Sequence, residues 1–388
     1  MSALYSTELK AFRQELRAFF TSQIPERIRA KISAGQPLAR ADFVESQRIL
    51  NANGLAVPHW PAAWGGRDWD RVRLHIFTEE LQRAAVPLPL QFNCNMLGPV
   101  LAAFGSEEQK QRFLPRAANL DDWWCQGFSE PEAGSDLASL QTRAVHTPQG
   151  YRVTGQKTWT TYAQYADWIF CLVRTDPDVR KQAGISFLLI DMRSPGITVR
   201  PIITVEGHHE VNEVFFDDVL VPFDQRVGEE NRGWDYAKYL LTNERSGIAR
   251  IGLTKERAAR ARRLAAATPF GSGTLLDHAP FHQRLIELEL DLKALEITLV
   301  RLASRAGGGE GDPAASIVKL KGSQLQQRAA ELLMDVAGPA GLRAMTDDID
   351  DDAPSLALAT YLNARKVSIY GGANEIQRNI IAKQVLGL

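Results

Sequence analysis

The feature that most narrows the possible folds is a change of hydrophobic period along the chain. In the first third, apolar residues recur at helical spacing: Leu9, Phe12, Leu16, Phe19 and Phe20, then Phe43, Ile49 and Leu50, then Leu74, Phe77 and Leu81. That spacing lays an apolar stripe along one face of a helix. Ser106-Glu107-Glu108-Gln109 puts polar groups where a helix's first turn needs them and predicts a helix start. Near residue 123 the texture changes. Short β-branched and aromatic runs at 151–155, 168–173, 185–190 and 211–216 are separated by turn residues such as Pro195-Gly196. From Trp234 the helical period returns and persists to the end. A block of strands flanked by two helical blocks predicts a multidomain α+β protein rather than alternating βαβ units. The boundaries read as an N-terminal all-α domain (1–122), a central antiparallel β-barrel or sandwich (123–232) and a C-terminal helical bundle (233–388).

A chain of 388 residues with a net charge of −1 offers no electrostatic reason to bind nucleic acid or an anionic membrane. Cys94, Cys125 and Cys171 are far apart, with no C-x-x-C spacing. They predict neither a disulfide framework nor a metal site and fit a reducing, cytoplasmic compartment. No apolar run reaches about 18 residues, so no membrane span is expected. Residues 1–30 carry charges throughout, unlike a signal peptide. The stretches 306–313 and 347–352 read as a flexible and a solvated acidic loop.

Four segments carry chemistry. Gly127-Phe128-Ser129-Glu130-Pro131-Glu132-Ala133-Gly134-Ser135-Asp136 opens the β region. Its small residues let backbone N–H groups approach a ligand, and its serine hydroxyls add donors. Gly155-Gln156-Lys157-Thr158-Trp159-Thr160-Thr161 sets a flat aromatic face beside hydroxyls on a strand. Near the end stands Ser368-Ile369-Tyr370-Gly371-Gly372-Ala373-Asn374-Glu375-Ile376-Gln377-Arg378. The two glycines break the preceding run. Asn374 with Gln377 three residues on reads as an N-cap with capping-box spacing, and Ile376, Ile380 and Ile381 as one apolar helix face. In the fourth segment, Glu244 follows Leu240 by four residues, inside the stripe Tyr236, Leu240, Gly247, Ile248 and Ile251. A carboxylate on an apolar face has its pKa raised and can serve as a general base, whereas one on an exposed face simply pairs with a lysine or arginine.

Taken in order over essentially the whole chain, these segments resemble the FAD-dependent acyl-CoA dehydrogenases. The resemblance implies a C-terminal four-helix bundle and a chemistry in which a base takes the α-proton of an acyl-CoA thioester. The flavin N5 accepts the β-hydride, giving a trans-2-enoyl-CoA, and electrons pass to an electron-transfer flavoprotein. It sets Phe128 and Ser129 against the flavin ring, with Gly134 in the same loop, and Ser135 on the substrate's pantetheine arm. Trp159 covers one face of the ring, and a hydroxyl of Thr160 or Thr161 bonds it. Ala373 and Glu375 match positions near the flavin's phosphate and ribitol side. Leu241, Arg245, Tyr370 and Gly371 border the acyl-CoA.

In the family's commonest form a glutamate follows the tyrosine of the last segment, and here that position is Gly371. Branched-chain, long-chain and steroid-side-chain members place their base as Glu followed by Arg on a helix, which Glu244-Arg245 matches. Two stretches depart from the pattern through which homotetrameric members reach a neighbour's FAD. No arginine stands just before Phe270-Gly271, and Asp335 and Pro339 replace a glutamine and a glycine. The expectation is a tetramer, either of identical chains or an α2β2 assembly in which a second, similar subunit completes the pyrophosphate half of the FAD site. Same-fold alternatives are a flavin oxidase or monooxygenase, and a non-catalytic partner subunit.

Overall fold

The computed structural model describes residues 5–304, 313–342 and 353–388, with side chains throughout these except at 242–248 and 353–355. The loop at 306–313, apart from Pro313, and the acidic stretch at 347–352 lie outside the described residues.

In chain order the helices are α1 (Thr7–Gln23), α2 (Glu26–Ala34), α3 (Arg40–Ala52), α4 (Arg71–Arg83), α5 (Gly98–Phe104, entered through a π-turn at Phe92–Leu97) and α6 (Glu107–Ala118). Strands follow: β1 (Trp124–Gly127), β2 (Arg143–Thr147), β3 (Gly150–Thr161), β4 (Trp168–Arg174), β5 (Ile185–Asp191), β6 (Ile197–Ile203) and β7 (His209–Val221). The chain closes with α7 (Gly233–Ile248), α8 (Ile251–Ala267), a short hairpin of β8 (Pro269–Phe270) and β9 (Gly273–Thr274), then α9 (Ala279–Ala303), α10 (Ala315–Ala337), α11 (Ala353–Asn363) and α12 (Asn374–Ile380). The helix start at Ser106 forms as the sequence predicts: Ser106 and Gln109 make a reciprocal capping box on α6.

The chain divides into two compact units. One joins residues 1–42, 69–88 and 244–388, and the other joins 43–68 and 89–243. In the second, the strands form one sheet in the order β1-β4-β2-β3-β7-β6, with β5 added to β4. Most pairs are antiparallel, as expected, but β4 runs parallel to both its path neighbours, β1 and, at Arg143–Arg174, β2. The sheet is therefore mixed rather than purely antiparallel, because the chain leaves β1 and winds through β2 and β3 before β4 returns beside it. Val153, Ile169, Val173, Leu188, Val214 and Val219 are fully buried on one apolar face. Burying each such side chain contributes roughly 1.5–3 kcal/mol.

In the first unit the apolar faces of α8, α9 and α10 meet around Leu285, Leu288, Leu292, Leu325 and Leu332. Glu79 and Glu80 interrupt the apolar face of α4 and are both 1 % exposed. They persist there because cations reach them from other helices: Arg13 from α1, at 3.0 Å to Glu79 and 3.3 Å to Glu80, and Lys255 from α8, at 2.7 Å to Glu79 and 3.1 Å to Glu296 of α9. Breaking such a buried network strands a charge, the costly outcome for ions out of water.

The end of the chain departs from the sequence reading in two ways. Ala373, not Asn374, occupies the N-cap of α12, and its side chain caps nothing. Asn374 is buried instead, and its Oδ1 accepts from Lys319 Nζ and Ser323 Oγ of α10, each at 3.0 Å. Ile376 is exposed, and Ile380 and Ile381 are only partly buried, so their shared face covers little within this chain.

Candidate active site

The β-sheet unit gathers the first two motifs on one strand edge. After β1 the chain turns tightly through Pro131-Glu132, with Glu130 and Ala133 exchanging backbone hydrogen bonds of 3.0 and 3.1 Å. Phe128 is buried edge-on against Phe170 and Phe187, and Ser129 is half-buried. Gly134, Ser135 and Asp136 are exposed, and a Cβ added at Gly134 would meet nothing within 4 Å. Asp136 is held from one side by Lys181, at 2.7 Å.

Strand β3 approaches this loop from Gly155. Its φ of +154° and a virtual Cβ only 2.6 Å from Thr142 Cα leave no room for a side chain. The backbone N–H of Thr158 then donates to Ser129 O at 2.9 Å, tying strand to loop. Between Lys157 and Thr160 the register with β7 slips, Thr158 and Trp159 opposing the single residue Glu213, which is a β-bulge. Trp159 sits in the bulge at φ +57°, a conformation costing about 1–3 kcal/mol for a residue with a side chain. The bulge leaves its indole 61 % exposed. Beside it Thr160 is buried, its O accepting from Asn212 Nδ2 at 3.0 Å and its Oγ1 lacking a partner among the described residues, while Thr161 is half-buried.

Glu130 and Lys157 each stand inside one of the two motifs with no role that spacing or residue type assigns. The structure joins them. Lys157 is wholly buried, its Nζ 2.7 Å from Glu130 Oε1 and 3.2 Å from Phe128 O. Glu130 also accepts from the N–H groups of Gln141 at 2.6 Å and Thr142 at 3.0 Å. Burial alone would raise the Glu130 carboxyl, but the adjacent ammonium and these donors hold it below the usual carboxylate range. The available signal was weak: the second motif holds a single lysine, while the first holds three carboxylates, Glu130, Glu132 and Asp136, with nothing in the sequence to choose among them.

This edge offers an exposed aromatic plate, an open glycine-serine loop and a buried, unpartnered hydroxyl. That donor set fits a flat heteroaromatic ring with hydrogen-bond acceptors, as a flavin has. Leu241, half-buried, belongs to the same unit on α7, whose first half packs Tyr236 against Phe104 with ring centroids 4.6 Å apart.

The remaining candidates belong to the helical unit. Glu244 and Arg245 lie on α7, and their side chains fall outside the described residues. Tyr370 is half-buried, and Gly371 and Gly372 follow at φ +61° and +85°. Ala373 is half-buried at the start of α12, and Glu375 is exposed and pairs with Arg378 at 3.2 Å. In the same unit His75, Glu79 and Glu296 bring three potential metal-ligand atoms within 4.8 Å of one another. Lys255 already bridges the two carboxylates, so the cluster is a closed ion-pair network rather than a cation site.

Comparison with known proteins covers nearly the whole chain. Models describing the N-terminal, middle and C-terminal domains of acyl-CoA dehydrogenases match residues 6–121, 125–219 and 231–386. The chain is 36% identical over 388 residues to the acyl-CoA dehydrogenase IpdE1 of Mycobacterium tuberculosis, covering 98% of each. Among solved structures, it is similar to a chain of the ChsE4-ChsE5 complex from Mycobacterium tuberculosis, with a TM-score of 0.86 and 32% identity over 100% of this chain and 99% of that one. It is also similar to a chain of the Tcur3481-Tcur3483 steroid ACAD, with a TM-score of 0.87 and 28% identity over 99% and 98%.

Proposed function

The chain belongs to the acyl-CoA dehydrogenase family, oxidoreductases acting on CH–CH groups, and from that premise we propose that it desaturates an acyl-CoA thioester to the trans-2-enoyl-CoA with Glu244 as the base. Its cofactor is FAD, held on the edge formed by Phe128, Ser129, Gly134, Ser135, Trp159, Thr160 and Thr161, with Ala373 and Glu375 toward the ribitol and phosphate side. Bound FAD supplies the acceptor for the hydride leaving the β-carbon. This chain's residues do the rest. Trp159 shields a ring face from water. Ser135 holds the pantetheine arm, and Leu241, Arg245, Tyr370 and Gly371 shape the space around the acyl group. Glu244 removes the α-proton, a task for which a carboxylate is suited when its pKa lies near the operating pH.

The observation that carries the reading is the backbone at 371. A φ of +61° is cheap for glycine and strained for glutamate, so this position is built as backbone and not as the seat of a base. Glu244-Arg245 on α7 is the remaining match to a pattern the family uses. Electrons would leave through an electron-transfer flavoprotein. The solved relative described as a steroid enzyme supports a bulky, sterol-derived acyl group over a short linear one.

Anaerobic addition of acyl-CoA thioesters, from short linear to sterol-sized, to the flavin-loaded protein tests the reading. Bleaching of the flavin without oxygen is expected, fastest with the bulky substrates. Glu244→Gln should slow that bleaching by about 10²–10⁴-fold while leaving acyl-CoA affinity nearly unchanged. Equal bleaching by the variant would refute Glu244 as base. A flavin that turns over only with oxygen would point to an oxidase on the same fold.

A further inference from the structure

We propose that the buried Lys157–Glu130 ion pair is a positioning device that locks the 128–135 loop to the Trp159 bulge, so that a flavin ring meets both in one fixed geometry. The proposal rests on the reading that this edge faces flavin, and adds how the edge is held.

In an unbulged strand, residues two apart share a face. Here Lys157 is wholly buried and Trp159 is 61 % exposed, so the extra residue of the bulge turns one inward and the other outward. The bulge could settle in other ways, since nothing in a ladder with a slipped register fixes which residue flips. Lys157 fixes it from below. Its Nζ reaches Phe128 O at 3.2 Å and Glu130 Oε1 at 2.7 Å, both in the facing loop. Glu130 passes the restraint on by accepting from the N–H groups of Gln141 and Thr142 at 2.6 and 3.0 Å, and Thr142 lies against Gly155 at the start of the same stretch of β3. The bonds form a closed ring: strand to loop through Lys157, loop to residues 141–142 through Glu130, and back to the strand where Thr142 Oγ1 donates to Gln156 O at 3.4 Å.

Stability alone does not call for ions here. Desolvating a lysine and a glutamate is costly, and apolar residues of similar volume commonly pack as well or better. What an apolar pair lacks is direction. It fills the space but holds neither the Phe128 carbonyl nor the Gln141 and Thr142 amides. A site that must keep its first contacts within a fraction of an ångström uses such directional support.

The test compares the full-length protein, with its partner subunit wherever flavin retention requires one, with Lys157→Met/Glu130→Leu and with Lys157→Arg. The readouts are melting temperature, FAD dissociation constant, and the visible spectrum and reduction potential of the bound flavin. The double variant should melt within a few degrees of the parent yet bind FAD about tenfold more weakly, with a shifted flavin spectrum and potential. Lys157→Arg, which keeps the charge and the donors, should recover most of the loss. A double variant with parental affinity, spectrum and potential overturns the proposal. Should that variant fail to fold, Glu130→Gln carries the test, and a folded Glu130→Gln with unchanged flavin affinity and potential overturns the proposal equally. A parent assembly that binds no flavin brings down the reading of the edge itself. A parent that binds flavin beside an indifferent double variant brings down only the positioning role.

Discussion

His75 precedes Glu79 by one turn of α4, and burial acts on the two in opposite senses of charge. Burial pushes the imidazole down to about 4, only partly offset by Glu79 on its own helix and Glu296 on α9, while Lys255 on α8 and Arg13 on α1 push the same way as burial. Glu79 responds differently. Burial would raise it, but Lys255 and Arg13 bring it down to about 2. His75 Nε2 stands 3.6 Å from the Glu79 carboxylate and has no hydrogen-bond partner among the described residues, so the ring is buried neutral. The sign of the pH effect follows. A base whose folded pKa lies below its unfolded value of about 6.5 stabilises the fold fully above that value, and the contribution is lost as pH falls toward the folded pKa. Between about pH 7.5 and pH 5 the protein should lose about 2 kcal/mol on this account. Urea denaturation across that range measures it. His75→Gln, which cannot titrate, should flatten the slope by that amount. An unchanged slope would show that the imidazole titrates in the fold as it does in the unfolded chain.

At the scale of elements, the start of α12 shows how a sequence pattern can name the right element and the wrong bond. Asn374 and Gln377 have capping-box spacing, yet Asn374 Oδ1 faces α10 and accepts from Lys319 and Ser323. Capping is local and therefore visible in sequence, whereas a tertiary acceptor on a helix more than fifty residues away is not. The two roles predict different tolerance. A true N-cap accepts serine at little cost. The observed anchor does not, because the shorter hydroxyl cannot meet both donors, so Asn374→Ser should cost nearly as much as Asn374→Ala, about 1–3 kcal/mol by thermal or urea denaturation. A serine variant as stable as the parent would restore the capping role. The same limit runs through the site. Helical stripes, strand runs and the helix start at Ser106 were legible because period and spacing carry them. The parallel pairing of β1 with β4 and the Lys157–Glu130 bond were not, because they join segments through the fold. Trp159 was legible as a residue, but its φ of +57° was not, since only the bulge against β7 imposes it.

At the scale of the whole molecule, the question is whether one kind of chain suffices to hold FAD. The β edge has groups suited to the ring. The stretch at 335–341, where homotetrameric relatives of the family cradle a neighbour's pyrophosphate, has less to give. A phosphate group favours cations or free N–H donors. Here Asp335 is an anion whose carboxylate already takes Arg284 at 2.5 Å, so that guanidinium is engaged within the chain. Pro339 has no N–H to give. Phe270 is 48 % exposed on the β8–β9 hairpin, and the residue before it is Pro269 rather than a cation. An edge suited to a flavin ring, beside a stretch that offers an engaged anion and a proline, would fit a cofactor site shared between chains, and the solved relatives at 32% and 28% identity are described as pairs of differently named proteins. The expectation is an α2β2 assembly in which a second, similar subunit brings the missing cations. Produced alone, this chain should retain FAD weakly and in less than one equivalent. Co-produced with that subunit, it should bind FAD tightly, with fewer flavins than chains, because only mixed interfaces are complete. Flavin absorbance against protein mass, with the oligomer weighed by light scattering, decides between the two. A homotetramer of this chain holding one tight FAD per subunit would mean that the 335–341 stretch finds its cations within a single kind of chain. Restoring the family's pattern offers the converse check: Asp335→Gln with Pro339→Gly should raise flavin retention by the isolated chain, since it removes an anion and returns a backbone donor where the phosphates would lie.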